Sequence, residues 1–221
     1  MAGVAPRGGN GFFWAPWASG GGPGGPRGGA PRRHAHLTDF SPWNSVVIGS
    51  ISVLDEIHTS YNRAHVVKIV ESIIDAEGPV HRDRLAKLVA GAFSLGKVSE
   101  SRKRAIQQVV PAEYSRADDR EFYWPNGVHP GTWRTVRTSN RGEGRPIGEI
   151  SLVEIGNAMR VAAEQTGGSA VDDLKREAMN LLGMTRMGSA VTLRLDQALE
   201  RALAVGVLRQ QPSGIFVVGS A

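Results

Sequence analysis

A cluster of cationic side chains between residues 97 and 104 has the composition of a nucleic-acid contact. Lys97 precedes the run Ser99-Glu100-Ser101-Arg102-Lys103-Arg104. Positive charge near the start of a helix is what a DNA-binding helix presents to phosphates and to base edges in the major groove. The predicted contacts are Lys97, Arg102, Lys103 and Arg104. A solvated helix face is the alternative that stays open.

A second set of basic side chains follows in a glycine-containing stretch. Its members are Arg134, Arg137, Arg141 and Arg145. Spaced along a flexible segment, they are candidates for contacts with a phosphate backbone, and each contact would add to the salt dependence of binding. A soluble linker without a partner explains them equally well.

The remaining reactive residues predict no catalytic site. The run from Gly91 to Lys97 matches the start of a phosphate-binding loop, but Val98 stands where a serine or threonine would hold magnesium. The chain has no cysteine, and its six histidines lack a second ligand at helical spacing. The paired acids fit turns and helix starts better than general acid-base work. We therefore expect no enzymatic activity, no cofactor and no metal.

Charge and hydropathy limit the partners further. The formal net charge is +5, and the excess lies in residues 1–45 and 126–149, whereas the rest of the chain is balanced. No apolar run approaches the roughly 20 residues of a membrane span. We expect a cytoplasmic protein with a polyanionic partner and no membrane contact.

The spacing of apolar residues predicts the elements that would position the cationic cluster. A stripe from Val66 to Ile74 predicts a helix that ends near Gly78-Pro79, and a second helix follows with His81 or Asp83 as its cap. A third helix is predicted from about Ser99 to Val110. The extended pieces 114–116 and 121–124 then flank a turn, which predicts a hairpin.

The same order of elements recurs 89 residues later. Shifted by that amount, Val66 falls on Ile155, Leu85 on Leu174 and Ile106 on Leu195, and a second hairpin pattern ends at Val218. Three helices followed by a hairpin predict a mostly helical α+β fold made of tandem winged helix-turn-helix modules. A three-helix bundle without a wing is the alternative.

Four segments follow from these patterns. Residues 1–45 are predicted to be a disordered tail rich in Gly, Pro and Arg. Residues 46–125 form the first module, 126–149 a linker, and 150–221 the second module. The third helix of the second module offers only Arg194, with Arg186 before it. That module is therefore expected to be structural or to bind a protein.

Several separated motifs also resemble a known family. They are Glu77-Gly78-Pro79-Val80-His81, Phe122-Tyr123-Trp124-Pro125, Trp133-Arg134 with Arg137, and Gly183-Met184-Thr185-Arg186-Met187-Gly188. Together they resemble the bacterial family called domain of unknown function 3320. The resemblance implies a C-terminal domain of large proteins that carry a superfamily-one helicase and a nuclease similar to the very-short-patch-repair endonuclease. It implies no catalytic residues for this chain.

Three functions follow as hypotheses. The favoured one is a non-catalytic nucleic-acid-binding accessory module, with DNA preferred to RNA as the partner. A protein-docking module is the second, and a helicase or nuclease protein is its implied partner. The third is a truncated fragment of a helicase or nuclease enzyme.

Overall fold

The apolar stripes in the sequence form helices that pack into two main hydrophobic cores. The computed structural model describes residues 36–44, 46–114 and 121–220. Short helices and small two-stranded sheets alternate in these ranges, so the fold is α+β. None of the helices in the described ranges is both long and apolar enough to cross a membrane.

The elements follow one another along the chain with short connections. Their order is β1 (Leu37–Asp39), α1 (Ser52–Asp55), α2 (Ser60–Glu77), β2 (Val80–His81), α3 (Arg82–Ala92), α4 (Glu100–Gln108), β3 (Phe122–Tyr123), β4 (Val136–Thr138), a 3-10 turn (Ile147–Glu149), α5 (Leu152–Thr166), α6 (Val171–Leu181), α7 (Ser189–Ala204), β5 (Leu208–Gln210) and β6 (Phe216–Val218).

Side-chain caps explain where several helices begin. His81 Nδ1 accepts a hydrogen bond from the backbone N–H of Asp83 at 3.2 Å, so His81 rather than Asp83 caps α3. Ser99 caps α4 and Ser151 caps α5, each through its hydroxyl oxygen. These bonds satisfy backbone donors that have no partner within the helix.

Each module has its own core. In the first, Val66, Val70 and Ile73 of α2 are fully buried and lie in one cluster with Leu85 of α3 and Ile106 of α4. The second core is built around α5, which packs against both α6 and α7. Because α5 is covered on several sides, most of its side chains are buried.

Each module contains, beside its helices, a small antiparallel sheet of two strands. In the first module β2 pairs with β3, with Val80 opposite Tyr123. In the second, β5 pairs with β6, and Ser169 bridges to Phe216 of β6. The predicted hairpin between residues 114–116 and 121–124 is therefore corrected in the partner of its second strand. Among the described residues the partner of β3 is β2, and residues 115–120 lie outside them.

The recurrence of elements at a fixed offset holds in the structure. The helices α2 and α5 end at Glu77 and Thr166, and α3 and α6 begin at Arg82 and Val171. Each pair is 89 positions apart, as are the first residues of α4 and α7. Leu85 and Leu174 accordingly lie in equivalent helices, as the repeat requires.

Two segment boundaries differ from the prediction. Residues 36–44 belong to the fold because β1 pairs in parallel with β4, and Trp43 donates its backbone N–H to Glu77 Oε1 at 2.7 Å. The predicted disorder of residues 1–35 lies outside the described residues. The predicted linker 126–149 contains β4 and the 3-10 turn. The described residues of both modules lie in one compact unit.

Candidate nucleic-acid interface

The predicted cationic cluster lies in the turn before α4 and in the N-terminal half of this helix, but its members differ in their partners. Arg102 forms an ion pair with Asp55 of α1. Lys103 lies 2.6 Å from Glu100 and 3.8 Å from Asp83, and the hydrogen bond with Glu100 raises the pKa of Lys103. These two charges are therefore partly balanced within the protein.

Lys97 and Arg104 are the more available cations of this surface. Both are exposed, Lys97 in the turn before α4 and Arg104 within the helix. Within the described part of the chain, no acidic side chain forms an ion pair with either. A phosphate would thus meet these two groups without displacing an internal partner.

An open depression of about 370 Å³ lies between the start of α3 and α4. Its lining residues are Arg82, Asp83, Glu100, Lys103, Arg104 and Gln107. Arg82 was not predicted as a site residue, and its Nε lies 2.9 Å from Glu121. Charges of both signs line the depression, so it resembles a polar contact surface more than a deep anion pocket.

His81 lies beside this surface and is better suited to a structural role than to proton transfer. Burial lowers its pKa, against the opposing influence of Asp83 and Glu121. The neutral ring is the form that can accept the capping hydrogen bond from Asp83. A lowered pKa therefore fits a helix cap.

The equivalent face of α7 has different chemistry. Leu193 occupies the position equivalent to Arg104 and is 61% exposed, and Met187, two residues before the helix begins, is 45% exposed. Asp196 forms an ion pair with Lys175 of α6. This face offers apolar and acidic groups where α4 offers cations and amides.

The side chain of Arg194 on α7 is partly buried. Its guanidinium donates to the backbone oxygen of Ile150 at 3.3 Å and lies 5.8 Å from the ring centre of Phe122. Phe122 belongs to the first module, so Arg194 contributes to the contact between the modules.

Two of the four predicted linker arginines are buried, which corrects their assignment as nucleic-acid contacts. Arg137 and Arg145 are only 8% and 6% exposed. A nitrogen of each lies 2.6 Å from a carboxylate oxygen of Glu154. Arg137 also donates to the backbone oxygens of Gly78 and Pro79, at 3.2 and 3.0 Å. Arg137 therefore connects the modules, and Arg145 binds the same carboxylate and the backbone oxygen of Arg137.

The carboxylate that holds these arginines escaped prediction. Glu154 is completely buried in α5, and burial alone would raise its pKa. The charges and hydrogen bonds of Arg137 and Arg145 outweigh that effect and lower the pKa to about 2. Its position among the apolar residues of α5 was the available signal, because a carboxylate on a buried face needs a cationic partner.

The other two linker arginines, Arg134 and Arg141, lie beside residues that do not belong to α4. Arg134 donates to the backbone oxygen of Gly131 at 2.7 Å. Arg141 is exposed and borders a separate depression of about 430 Å³, together with Arg176 and Met187. The structure therefore does not unite the four arginines into one phosphate-binding track.

The phosphate-loop resemblance falls at the end of α3. Gly91 and Ala92 are in the helix, and Phe93, the residue that caps its C-terminus, is buried. A helix leads into the segment, whereas a strand precedes a phosphate-binding loop. In the described ranges no three His, Asp or Glu residues are placed to hold a metal ion.

One protein-family model matches the part of the chain that carries the cationic cluster. Residues 55–104 match the model of the family described as "Protein of unknown function (DUF3320)". No curated protein and no solved structure matches the chain. The segment from the end of α1 into α4 is thus similar to this family of unknown function, in support of the resemblance seen in the separated motifs.

Proposed function

We propose that the chain is a non-enzymatic nucleic-acid-binding protein of the cytoplasm, with duplex DNA as its partner and α4 as the contacting helix. The exposure of two cations, Lys97 in the turn before α4 and Arg104 within it, is the observation that carries the proposal. Binding depends on phosphate neutralisation, and these two cations are exposed without an internal acidic partner in the described residues.

The order and pairing of the elements support a winged helix-turn-helix fold for each module. A short strand or bridge residue lies between the first and second helices and pairs with a strand that follows the third helix. In such folds the third helix is the one that enters the major groove. In the first module that helix is α4, the helix that carries Arg104.

The proposal is tested by titrating fluorescent duplex DNA, single-stranded DNA and duplex RNA at two salt concentrations with the full chain. The double variant Lys97→Ala, Arg104→Ala should bind duplex DNA about tenfold more weakly at moderate salt. Its plot of log affinity against log salt should flatten by about 0.9 for each phosphate that is no longer neutralised.

Arg186→Ala is the matched control, because Arg186 is exposed at the position in the second module that is equivalent to Lys97. It should leave binding close to wild type. Arg194 is unsuitable as a control, since its side chain lies between the modules. Wild-type protein without salt-sensitive binding, or a double variant that binds as tightly as wild type, would contradict the proposal.

Protein docking through α7 is the second candidate. Leu193, exposed on the face of α7 equivalent to that of Arg104, and Met187, exposed just before this helix, favour it. The family resemblance implies a helicase or nuclease protein as the partner. A Leu193→Asp variant that binds DNA normally but no longer binds a purified partner would support this candidate.

A further inference from the structure

The outer face of α4 carries more than positive charge. Ser101, Arg104 and Gln108 are exposed and are spaced three and four residues apart, which places them on one side of a helix. Gln107 borders the same side. Every one of these side chains can donate hydrogen bonds, and α4 contains no carboxylate after Glu100.

The repeat supplies an internal comparison for this face. At the equivalent positions α7 has Ala190, Leu193 and Gln197, with Asp196 in place of Gln107. Both faces are open in the described structure, yet only α4 combines a guanidinium with amides. The difference therefore lies in side-chain chemistry and not in accessibility.

Phosphate attraction alone does not account for this combination. A guanidinium can donate two hydrogen bonds to N7 and O6 of guanine, and a glutamine amide can pair with N6 and N7 of adenine. Arg104 has no ion pair among the described residues, in contrast to Arg102 with Asp55. Its donors are accordingly available for a base edge.

We propose that α4 recognises base edges in the major groove of duplex DNA, with Arg104 selecting a guanine and Gln108 an adenine. This inference rests on the proposed function and adds sequence selectivity to it. Four helical residues rise about 6 Å. With about 3.4 Å between successive base pairs, the two recognised bases lie about two base-pair steps apart.

The test is a selection of binding duplexes from a random-sequence pool with the full-length wild type, followed by affinity measurements on the enriched sequence and its single-base changes. Wild type should enrich a short motif that contains a guanine and an adenine about two steps apart. Arg104→Lys keeps the charge but removes the two-pronged geometry. It should reduce discrimination at the guanine about tenfold.

Gln108→Ala should relax the preference at the adenine and retain the preference at the guanine. Gln197→Ala is the matched control, since Gln197 is the exposed glutamine at the equivalent position of α7. It should retain both preferences. Melting temperatures measured for all variants separate an effect on recognition from an effect on folding.

The outcomes distinguish this inference from the proposed function. Salt-sensitive duplex binding without any enriched motif overturns the inference and leaves the proposed function standing. An enriched motif whose preferences survive in both α4 variants also overturns it. Absence of duplex binding by wild type overturns both.

Discussion

Glu154 is a negative charge placed inside the protein between two guanidinium groups. It accepts hydrogen bonds from Arg137 and Arg145, and the ring of Phe40 lies 4.3 Å from the guanidinium carbon of Arg145. A buried carboxylate costs free energy unless such partners compensate for lost hydration. The group therefore acts as a unit, in which each member depends on the others.

Replacing this carboxylate should destabilise the protein strongly. Glu154→Gln keeps the size of the side chain but leaves two buried guanidiniums without their counter-charge, at a cost of about 3–5 kcal/mol in the free energy of unfolding. Urea unfolding followed by circular dichroism measures it. Glu200→Gln, an exposed position on α7, should change stability by less than about 0.5 kcal/mol. Equal effects would contradict the assigned role.

The same residue predicts a pH window for stability. The pKa of Glu154 is about 2 in the folded protein, below the ordinary value of 4.5. The unfolded chain therefore takes up this proton first as the pH falls. The contribution of ionised Glu154 to the free energy of unfolding is complete above about pH 4.5 and is lost as the pH falls toward 2. Urea midpoints between pH 5 and 2.5 should fall less steeply in Glu154→Gln than in wild type.

The exposed side chains of the candidate site were predictable, whereas the buried ones were not. Lys97 and Arg104 lie off the apolar stripe of their helix region, so local spacing placed them at the surface. The burial of Arg137 and Arg145 depends on Glu154, and that of Arg137 also on backbone oxygens about 60 residues earlier. Sequence spacing carries no information about such partners.

At the scale of elements, α7 contacts the first module through the side chain of Arg194. Arg194→Ala removes a hydrogen bond to Ile150 and a cation–ring contact with Phe122. The expected loss is about 1–3 kcal/mol of stability, measured as a lower urea midpoint. Arg186→Ala, exposed before the same helix, should leave the midpoint unchanged. An unchanged midpoint in Arg194→Ala would place its side chain in solvent after all.

The helices were predictable to within a few residues, and the strands β1 and β4 were not. Apolar spacing and capping residues define α2, α3 and α4 locally. The strands β1 and β4 have only three residues each, and each exists because the other supplies its hydrogen bonds. Neither has a local pattern that distinguishes it from a loop.

At the scale of the whole molecule, the modules should unfold together. Arg137 joins Glu154 of the second module to the backbone oxygens of Gly78 and Pro79, just before β2 of the first module. We expect one calorimetric transition whose van 't Hoff and calorimetric enthalpies agree. Arg137→Met should broaden or split it, and Arg141→Met, an exposed position in the same segment, should not. Two transitions in wild type would contradict this coupling.

The parallel pairing of β1 with β4 has a consequence for the order of folding. Thr138 donates a side-chain hydrogen bond to the backbone oxygen of Thr38, a residue 100 positions earlier. Closing so long a loop costs more entropy than forming the local helix contacts, so β1 should dock last during refolding. In pulse-labelling hydrogen exchange, the amide of Phe40, bonded to Thr138, should become protected after the amides of α2. Simultaneous protection would indicate that the N-terminal strand takes part in the folding nucleus.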